Sequence, residues 1–246
     1  MSDPVAVVFG GTGAIGKGIA HALADDGFRV VVSDIGATGP DLSALSGEGH
    51  DYVQCDVTDI DGVRRVFAPG SLGGAAAAVV YAAGVNYTGP VVTTDWSAFD
   101  RLQSVNLKGA FHVAAAAQEL AQPQAYVFIA SVAGLSGEAG GSVYCSTKFG
   151  LLGFVQSFAA EIAKSGARAN AVCPGNVDSP LLRALAGSVA EREATTPDEI
   201  LTRFAADSAF ERLISIAEVA DATAFLVSQK ASGISGQSLV VDGPPN

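Results

Sequence analysis

The chain has 246 residues, of which 49% are apolar and 29 are glycine, and its formal net charge is −11. That length can bury a full core and suits one α/β domain over residues 1–246, while the apolar, glycine-rich composition suits a parallel sheet covered on both faces. An acidic chain is repelled by phosphate backbones and anionic lipid, which argues against nucleic acid or a membrane as partner and for a small neutral molecule.

Met1-Ser2-Asp3-Pro4 leads directly into an apolar strand, Val5–Phe9, with no basic-then-apolar signal segment, so the protein is expected in the cytoplasm. Next come Gly10-Gly11-Thr12-Gly13-Ala14-Ile15-Gly16 and an amphipathic helix to about Asp26. Strand, glycine turn and helix in that order place unpaired helix N–H groups where a pyrophosphate can sit, with glycines allowing close approach. A second strand, Phe28–Ser33, ends in Asp34, whose carboxylate can accept both adenosine ribose hydroxyls and would repel a 2′-phosphate. No Arg or Lys follows until Arg64, so NAD rather than NADP is expected, with Lys17 beside the glycine turn as the one counter-argument. The competing reading of Asp34 is a plain turn former at a strand end.

Ile35–Gly49 is polar and rich in glycine, so little helix is expected there. Tyr52–Cys55 reads as the third strand, with Asp56-Val57 at its carboxyl end bordering an adenine and Thr58 capping the next helix. Residues 66–94 carry no charge, but Pro69, Gly73, Gly74, Gly84, Gly89 and Pro90 interrupt them too often for a membrane span. They read instead as a buried strand, Ala75–Ala82, flanked by loops. Ala83-Gly84 beyond it would admit a flat ligand, and Asn86 and Tyr87 would line a pocket. A helix after Asp95 carries Trp96, Phe99, Leu102 and Val105 at core spacing. Asn106 lies inside that helical stretch, where asparagine is a poor choice unless its side chain has a task.

Ala125–Ala130 reads as a buried strand that delivers Ser131 at its carboxyl end, the ligand side of an open α/β sheet. Tyr144 and Lys148 share a helix face, and an ammonium held near a phenol lowers the phenol's pKa, which would make Tyr144 an acid or base. Alone, such a pair is ordinary surface decoration. The three cysteines, Cys55, Cys145 and Cys173, lack metal-ligand spacing and are odd in number, so free thiols and no metal site are expected.

Together these residues resemble the short-chain dehydrogenase/reductase family in its compact, single-domain form. The landmarks are the Gly10–Gly16 turn, Asp56-Val57, Tyr81-Ala82-Ala83-Gly84, Asn106, Ser131, Tyr144-x-x-x-Lys148, Pro174-Gly175 and Asp242-Gly243, in that family's order and nearly end to end. The resemblance implies a Rossmann-like doubly wound parallel sheet of about seven strands with helices on both faces. It implies Tyr144 as general acid/base, Ser131 orienting the carbonyl or alcohol, and Lys148 binding the nicotinamide ribose. Asn106 is similar to an asparagine that holds a relay water behind the lysine. Gly10, Thr12, Gly13, Ala14, Ile15, Asp34, Asp56, Val57, Ala83, Gly84, Pro174, Gly175, Val177 and Ser179, with Tyr144 and Lys148, are the implied cofactor contacts; Val177 would hold the carboxamide. Departures are Phe9 for a common Thr, Ala14 for Gly and Tyr81-Ala82 for an Asn pair, read as touching scaffold more than chemistry, and Ser179 for Thr, which keeps a hydroxyl for the pyrophosphate or carboxamide. The Asp242-Gly243-Pro244-Pro245-Asn246 ending departs from the usual Asp-Gly-Gly and puts contacts made by the last residues in question.

Residues 180–212 read as a substrate lid with one helix over Leu181–Val189 and another starting at Thr196-Pro197-Asp198-Glu199. Arg183, Arg192, Arg203 and Arg212 alternate with Asp198, Glu199, Asp207 and Glu211, a solvated face rather than an anion site. Glu138 would meet a polar group at the pocket mouth. Ser215 to Glu218 is a capping box opening the last helix, and Ser238–Val241 is the final strand. The resemblance further implies a homotetramer, with Leu151, Leu152, Phe154, Val155 and Phe158 as apolar packing surface. The expected activity is NAD-dependent hydride transfer on a secondary alcohol or ketone. The alternatives are a carrier-protein or CoA-linked 3-ketoacyl reductase and a non-catalytic dinucleotide sensor.

Overall fold

The computed structural model describes residues 3–244; Met1, Ser2, Pro245 and Asn246, and the readings made on them at the two chain ends, lie outside the described residues. The elements in order are β1 (Val5–Phe9), α1 (Ala14–Asp25), β2 (Arg29–Asp34), β3 (Asp51–Gln54), α2 (Ile60–Val66) and β4 (Ala76–Tyr81). They continue with α3 (Trp96–Leu102), α4 (Gly109–Leu120), β5 (Ala125–Ile129), α5 (Ser142–Ile162) and β6 (Arg168–Pro174). The chain ends with α6 (Pro180–Glu193), α7 (Pro197–Ala206), α8 (Ile216–Val227) and β7 (Ser238–Val241). The seven strands are all parallel, in the order β3-β2-β1-β4-β5-β6-β7. Strand order reverses between β1 and β4, which puts a crevice at their carboxyl ends.

Strand alternation explains why the central strands are apolar throughout. Val7, Phe9, Val31, Val79 and Phe128 face α2, α4 and α5, while Val8, Val30, Val32 and Val80 face α1 and α8. Each such side chain gains about 1.5–3 kcal/mol on burial, so both faces must be covered. Arg168 and Asn170 interrupt the pattern in β6, a strand the sequence did not single out. The Arg168 guanidinium donates to the Leu226, Val227 and Ser228 carbonyls and so closes the carboxyl end of α8. Asn170 donates to Ile234 O and accepts from Gln237 N, pairing the turn before β7.

Residues 35–50 contain no helix, as their glycines imply. Tyr52 holds this crossover: its hydroxyl donates to Asp34 O at 3.0 Å and to Gly36 O, and Gly39 lies against its ring. Among the described residues no helix is long and apolar enough to cross a membrane.

Several local expectations need correction. Thr58 does not cap α2; Asp59 does, accepting from Asp61 N, while the Thr58 N–H and hydroxyl both donate to Asp56. A carboxylate is the better partner for a helix start. The stripe from Trp96 to Val105 is only partly core: Leu102 is buried, but Trp96 is 70% exposed and stacks edge-on with Phe99. Nor is that segment one helix, since a π-helical turn, Gln103–Lys108, separates α3 from α4. α6 runs on to Glu193 because Ala190-Glu191-Arg192-Glu193 are good helix formers with no breaker before Ala194. Thr196 caps α7 and Ser215 with Glu218 forms the capping box of α8, as the spacing predicts.

Candidate active site

The carboxyl edge of the sheet carries the residues that the sequence singles out, in two groups. The first lies around β1 and β2. Gly10 has φ +75°, and a Cβ there would run into the Ala83 backbone; at Gly16 it would meet Gly10 O. The turn can therefore lie against the β4 exit only with glycine at both positions. α1 starts at Ala14 with Gly13 as N-cap, no capping side chain and no acidic residue in its first turn. Its leading N–H groups suit a phosphate. Asp34 ends β2 and accepts from the Thr12 N–H and hydroxyl on Oδ2 and from Ile35 N on Oδ1. A carboxylate has about four acceptor positions, so capacity for a ribose hydroxyl remains. Asp56 stands exposed beyond β3, whereas the Val57 side chain is buried in the core.

The second group surrounds a cavity of about 320 Å³. Ile15, Ala83, Gly84, Ser131, Tyr144, Lys148, Pro174, Gly175, Val177 and Ser179 all border it. Tyr144 lies in the first turn of α5, and Ser131 leaves β5 with an extended backbone, its Oγ accepting from Ala133 N at 3.1 Å. Lys148 is buried and donates to Ile129 O at 2.9 Å, with Nζ 5.6 Å from the Tyr144 ring centroid. Val177 pairs with Ile214, and Gly175 N donates to Val241 O at 3.1 Å, so the segment after β6 is held as backbone. A Cβ at Gly175 would strike the Asp242 carboxylate, which explains both residues together. The Ser179 oxygen caps α6, accepting from Leu182 N at 3.2 Å, which leaves its own hydrogen to donate.

The electrostatics differ from the sequence expectation at Tyr144. Burial pushes its phenol up to about 12, the adjacent Ser131 hydroxyl pulls it back, and Glu138 and Cys145 add to the rise. Lys148 is not among the groups that lower it; its ammonium donates to the Ile129 carbonyl, and burial in turn brings Lys148 down to about 8. Glu138 stands at the cavity rim, still open to solvent; partial burial and the Asp207 carboxylate both raise its carboxyl pKa.

Asn106 is not in the cavity wall but behind it, fully buried in the π-helical turn. Its Oδ1 accepts from Val85 N at 2.8 Å, and its Nδ2 donates to Val85 O at 2.9 Å and to Thr147 Oγ1 at 3.2 Å. Thr147 in turn donates to Tyr144 O at 2.7 Å. Asn106 thus ties the exit of β4 to the tyrosine's own helix. A Cβ at Gly84 would lie 3.6 Å from Asn106 Oδ1 and 3.8 Å from Lys148 Nζ, so the glycine keeps open the space those two groups share. Sequence reasoning missed Thr147, although a hydroxyl directly before the lysine was a usable signal.

The lid arginines point elsewhere. Arg183 pairs with Asp178, Arg203 with Glu193 and Arg212 with Glu218, while Arg192 donates to Thr88 O and Oγ1. All three cysteines are free and buried. Of the five residues read as packing surface on α5, Leu151, Leu152, Val155 and Phe158 are core, because that face of the helix lies on the sheet. Phe154 is only partly buried, stacked on Phe158 and against Phe111, and Phe111 on α4 and Phe149 on α5 are both exposed.

A family model described as enoyl-(acyl carrier protein) reductase matches residues 11–243. The chain is similar to the 3-oxoacyl-[acyl-carrier-protein] reductase MabA of Mycobacterium tuberculosis, 34% identical over 242 residues that cover 96% of this chain and 90% of the relative. It is similar to cis-4-hydroxycyclohexanecarboxylate dehydrogenase of Sinomonas cyclohexanicum, 33% identical over 256 residues that cover 99% of this chain and 96% of the other. Among solved structures, a variant actinorhodin polyketide ketoreductase with NADPH superposes with a TM-score of 0.92 at 28% identity, over 98% of this chain and 96% of that one.

Proposed function

This chain belongs to the short-chain dehydrogenase/reductase family of oxidoreductases, and from that premise we propose that it moves a hydride between NAD and a secondary alcohol or ketone. The observation that carries this reading is the convergence of Ser131, Tyr144 and Lys148 on one cavity at the carboxyl edge of the sheet. When bound, the nicotinamide supplies or accepts the hydride. The chain's own work is the proton and the geometry. Ser131 and Tyr144 hydrogen-bond the substrate oxygen, and the phenol takes the alcohol's proton in oxidation or gives its own to the carbonyl in reduction. Lys148 holds a ribose hydroxyl while its ammonium remains beside the tyrosine ring. Proximity accounts for much of the remaining acceleration, because β5 and α5 hold serine and tyrosine against one cavity.

NAD is favoured by Asp34, whose charge faces the place of a ribose and has acceptor capacity to spare. Residues 180–212 form the lid of a single domain, and their arginines, each already engaged, leave a neutral substrate the better fit. The free buried thiols suit a reducing compartment such as the cytoplasm. The face around Phe111 and Phe154 supports self-association into a tetramer.

A second reading, a 3-ketoacyl reductase, is favoured by the likeness to MabA and to the ketoreductase. The two separate in one assay: NAD⁺ and NADP⁺ reduction across secondary alcohols, polyols and hydroxy acids, beside NADH and NADPH oxidation with ketoacyl thioesters. Turnover of alcohols with NAD⁺ alone supports the first, and NADPH-driven thioester reduction replaces it with the second. Binding of NADH with no turnover of any substrate would leave a dinucleotide sensor.

A further inference from the structure

Tyr81 ends β4, immediately before Ala82-Ala83-Gly84, and only 1% of it is exposed. Its hydroxyl donates to Val105 O, inside the π-helical turn and one residue before Asn106. A π turn shifts its carbonyls away from their usual helical donors, so a side-chain donor at that place fixes which register the turn adopts. The exit of the turn is shaped for the same phenol, since a Cβ at Gly109 would run into the Tyr81 hydroxyl and crowd Val57. Burial raises the Tyr81 pKa, which keeps the group a donor across working pH.

We propose that Tyr81 is a positioning residue for the reaction: its hydroxyl holds the π-helical turn in the register that lets Asn106 clamp Val85 and Thr147, and through Thr147 the backbone of Tyr144. The inference rests on the oxidoreductase reading for its kinetic consequence but not for its structural one. It also changes the meaning of the departure at this position, where the sequence reading treated Tyr81 as scaffold. The route is continuous in hydrogen bonds: Tyr81 to Val105 O, Asn106 to Val85 and Thr147, and Thr147 to Tyr144 O. A displacement of that route moves the tyrosine relative to Ser131 without touching the substrate.

The test compares Tyr81→Phe with Tyr126→Phe. Tyr126 is buried to the same degree, and its hydroxyl donates to Gln118 Oε1 at 2.9 Å, remote from the π turn. Both variants lose one buried hydroxyl contact, so a merely structural loss affects them alike. In the protein alone, amide exchange is followed at Val85, whose N–H donates to Asn106. Tyr81→Phe is expected to speed that exchange about ten-fold and to lower kcat about ten-fold with KM nearly unchanged, while Tyr126→Phe does neither. Gly109→Ala, which keeps the hydroxyl but displaces it, is expected to follow Tyr81→Phe. In an Asn106→Ala background Tyr81→Phe should cost nothing further, because coupled residues are not additive. Unmoved Val85 exchange, wild-type kcat in Tyr81→Phe, an equal kinetic loss in Tyr126→Phe, or additivity with Asn106→Ala each overturn the proposal. Absence of turnover in the wild type instead defeats the oxidoreductase reading, and Val85 exchange then decides the clamp by itself.

Discussion

Asp34 holds Thr12 from 22 residues away: the Thr12 N–H donates to Asp34 Oδ2 at 3.0 Å, and the Thr12 hydroxyl donates to the same oxygen. The carboxylate read as a ribose partner therefore also ties the glycine turn to the end of β2. The side chain proposed to select the cofactor thus also fixes the shape of the glycine turn.

Asp34→Ser removes the charge that repels a 2′-phosphate and loosens Thr12 together with it. We expect kcat/KM with NAD⁺ to fall and with NADP⁺ to rise, each about ten-fold, and the melting temperature to drop by about 2–4 °C for roughly 1 kcal/mol lost. Steady-state kinetics with both cofactors decides it. Unchanged preference would show that discrimination lies elsewhere, with Lys17 the next residue to vary.

Tyr144→Phe keeps the ring and loses only the proton-carrying group. The variant should fold and bind NADH with wild-type affinity, and turnover should fall at least about a thousand-fold. Fluorescence titration and stopped assays measure the two effects separately. Comparable turnover in the variant would remove the tyrosine from the chemistry.

Lys148 and Tyr144 give opposite pH signatures. Lys148 falls from 10.5 in the unfolded chain to about 8, so from pH 8 to 10.5 the unfolded state binds more protons and stability rises with pH. Tyr144 rises from 10.0 to about 12, so from pH 10 to 12 the folded state keeps the extra proton and stability falls. Denaturant titrations of wild type against Lys148→Met should show wild type gaining on the variant between pH 8 and 10. A constant difference over that window would mean that the lysine is not held as described. In turnover, a phenol raised to about 12 leaves alcohol oxidation still climbing past about pH 10 in an assay of rate against pH, because the base form is still becoming more populated there.

Among the described residues, Glu138 is the one acidic side chain bordering the cavity, and Lys148, the one basic side chain there, donates to a backbone carbonyl. An amino alcohol should therefore react better than its neutral analogue, and a hydroxy acid worse. Solvent screening keeps each step to about three- to ten-fold. Glu138→Gln should compress the series. An unchanged ordering in the variant would assign the preference to other charges.

Much of the frame was legible in the chain because its signals are local. A buried strand shows as an apolar run, a helix start as Thr196-Pro197 or as Ser215 with Glu218, and a close backbone approach as Gly10 or Gly16. Tyr144 and Lys148 were also local, one helical turn apart. β6 escaped because Arg168 and Asn170 break its apolar run, and both are buried only because distant carbonyls accept from them. Trp96 and the α5 leucines were misassigned because helical spacing identifies a face without saying what covers it.

Strand and helix periods, capping residues and the glycine turn were determined by the sequence alone, since each depends on neighbours within one turn or one strand. The tertiary structure decided which groups meet: Tyr81 with Val105, Asn106 with Thr147 and Arg192 with Thr88 are 24, 41 and 104 residues apart. It also decided the direction of the Tyr144 shift. A charge placed four residues away on a helix is a property of the sequence, but how far the burial of the phenol outweighs it, and which carbonyl at the end of β5 it bonds, depends on what else packs beside it.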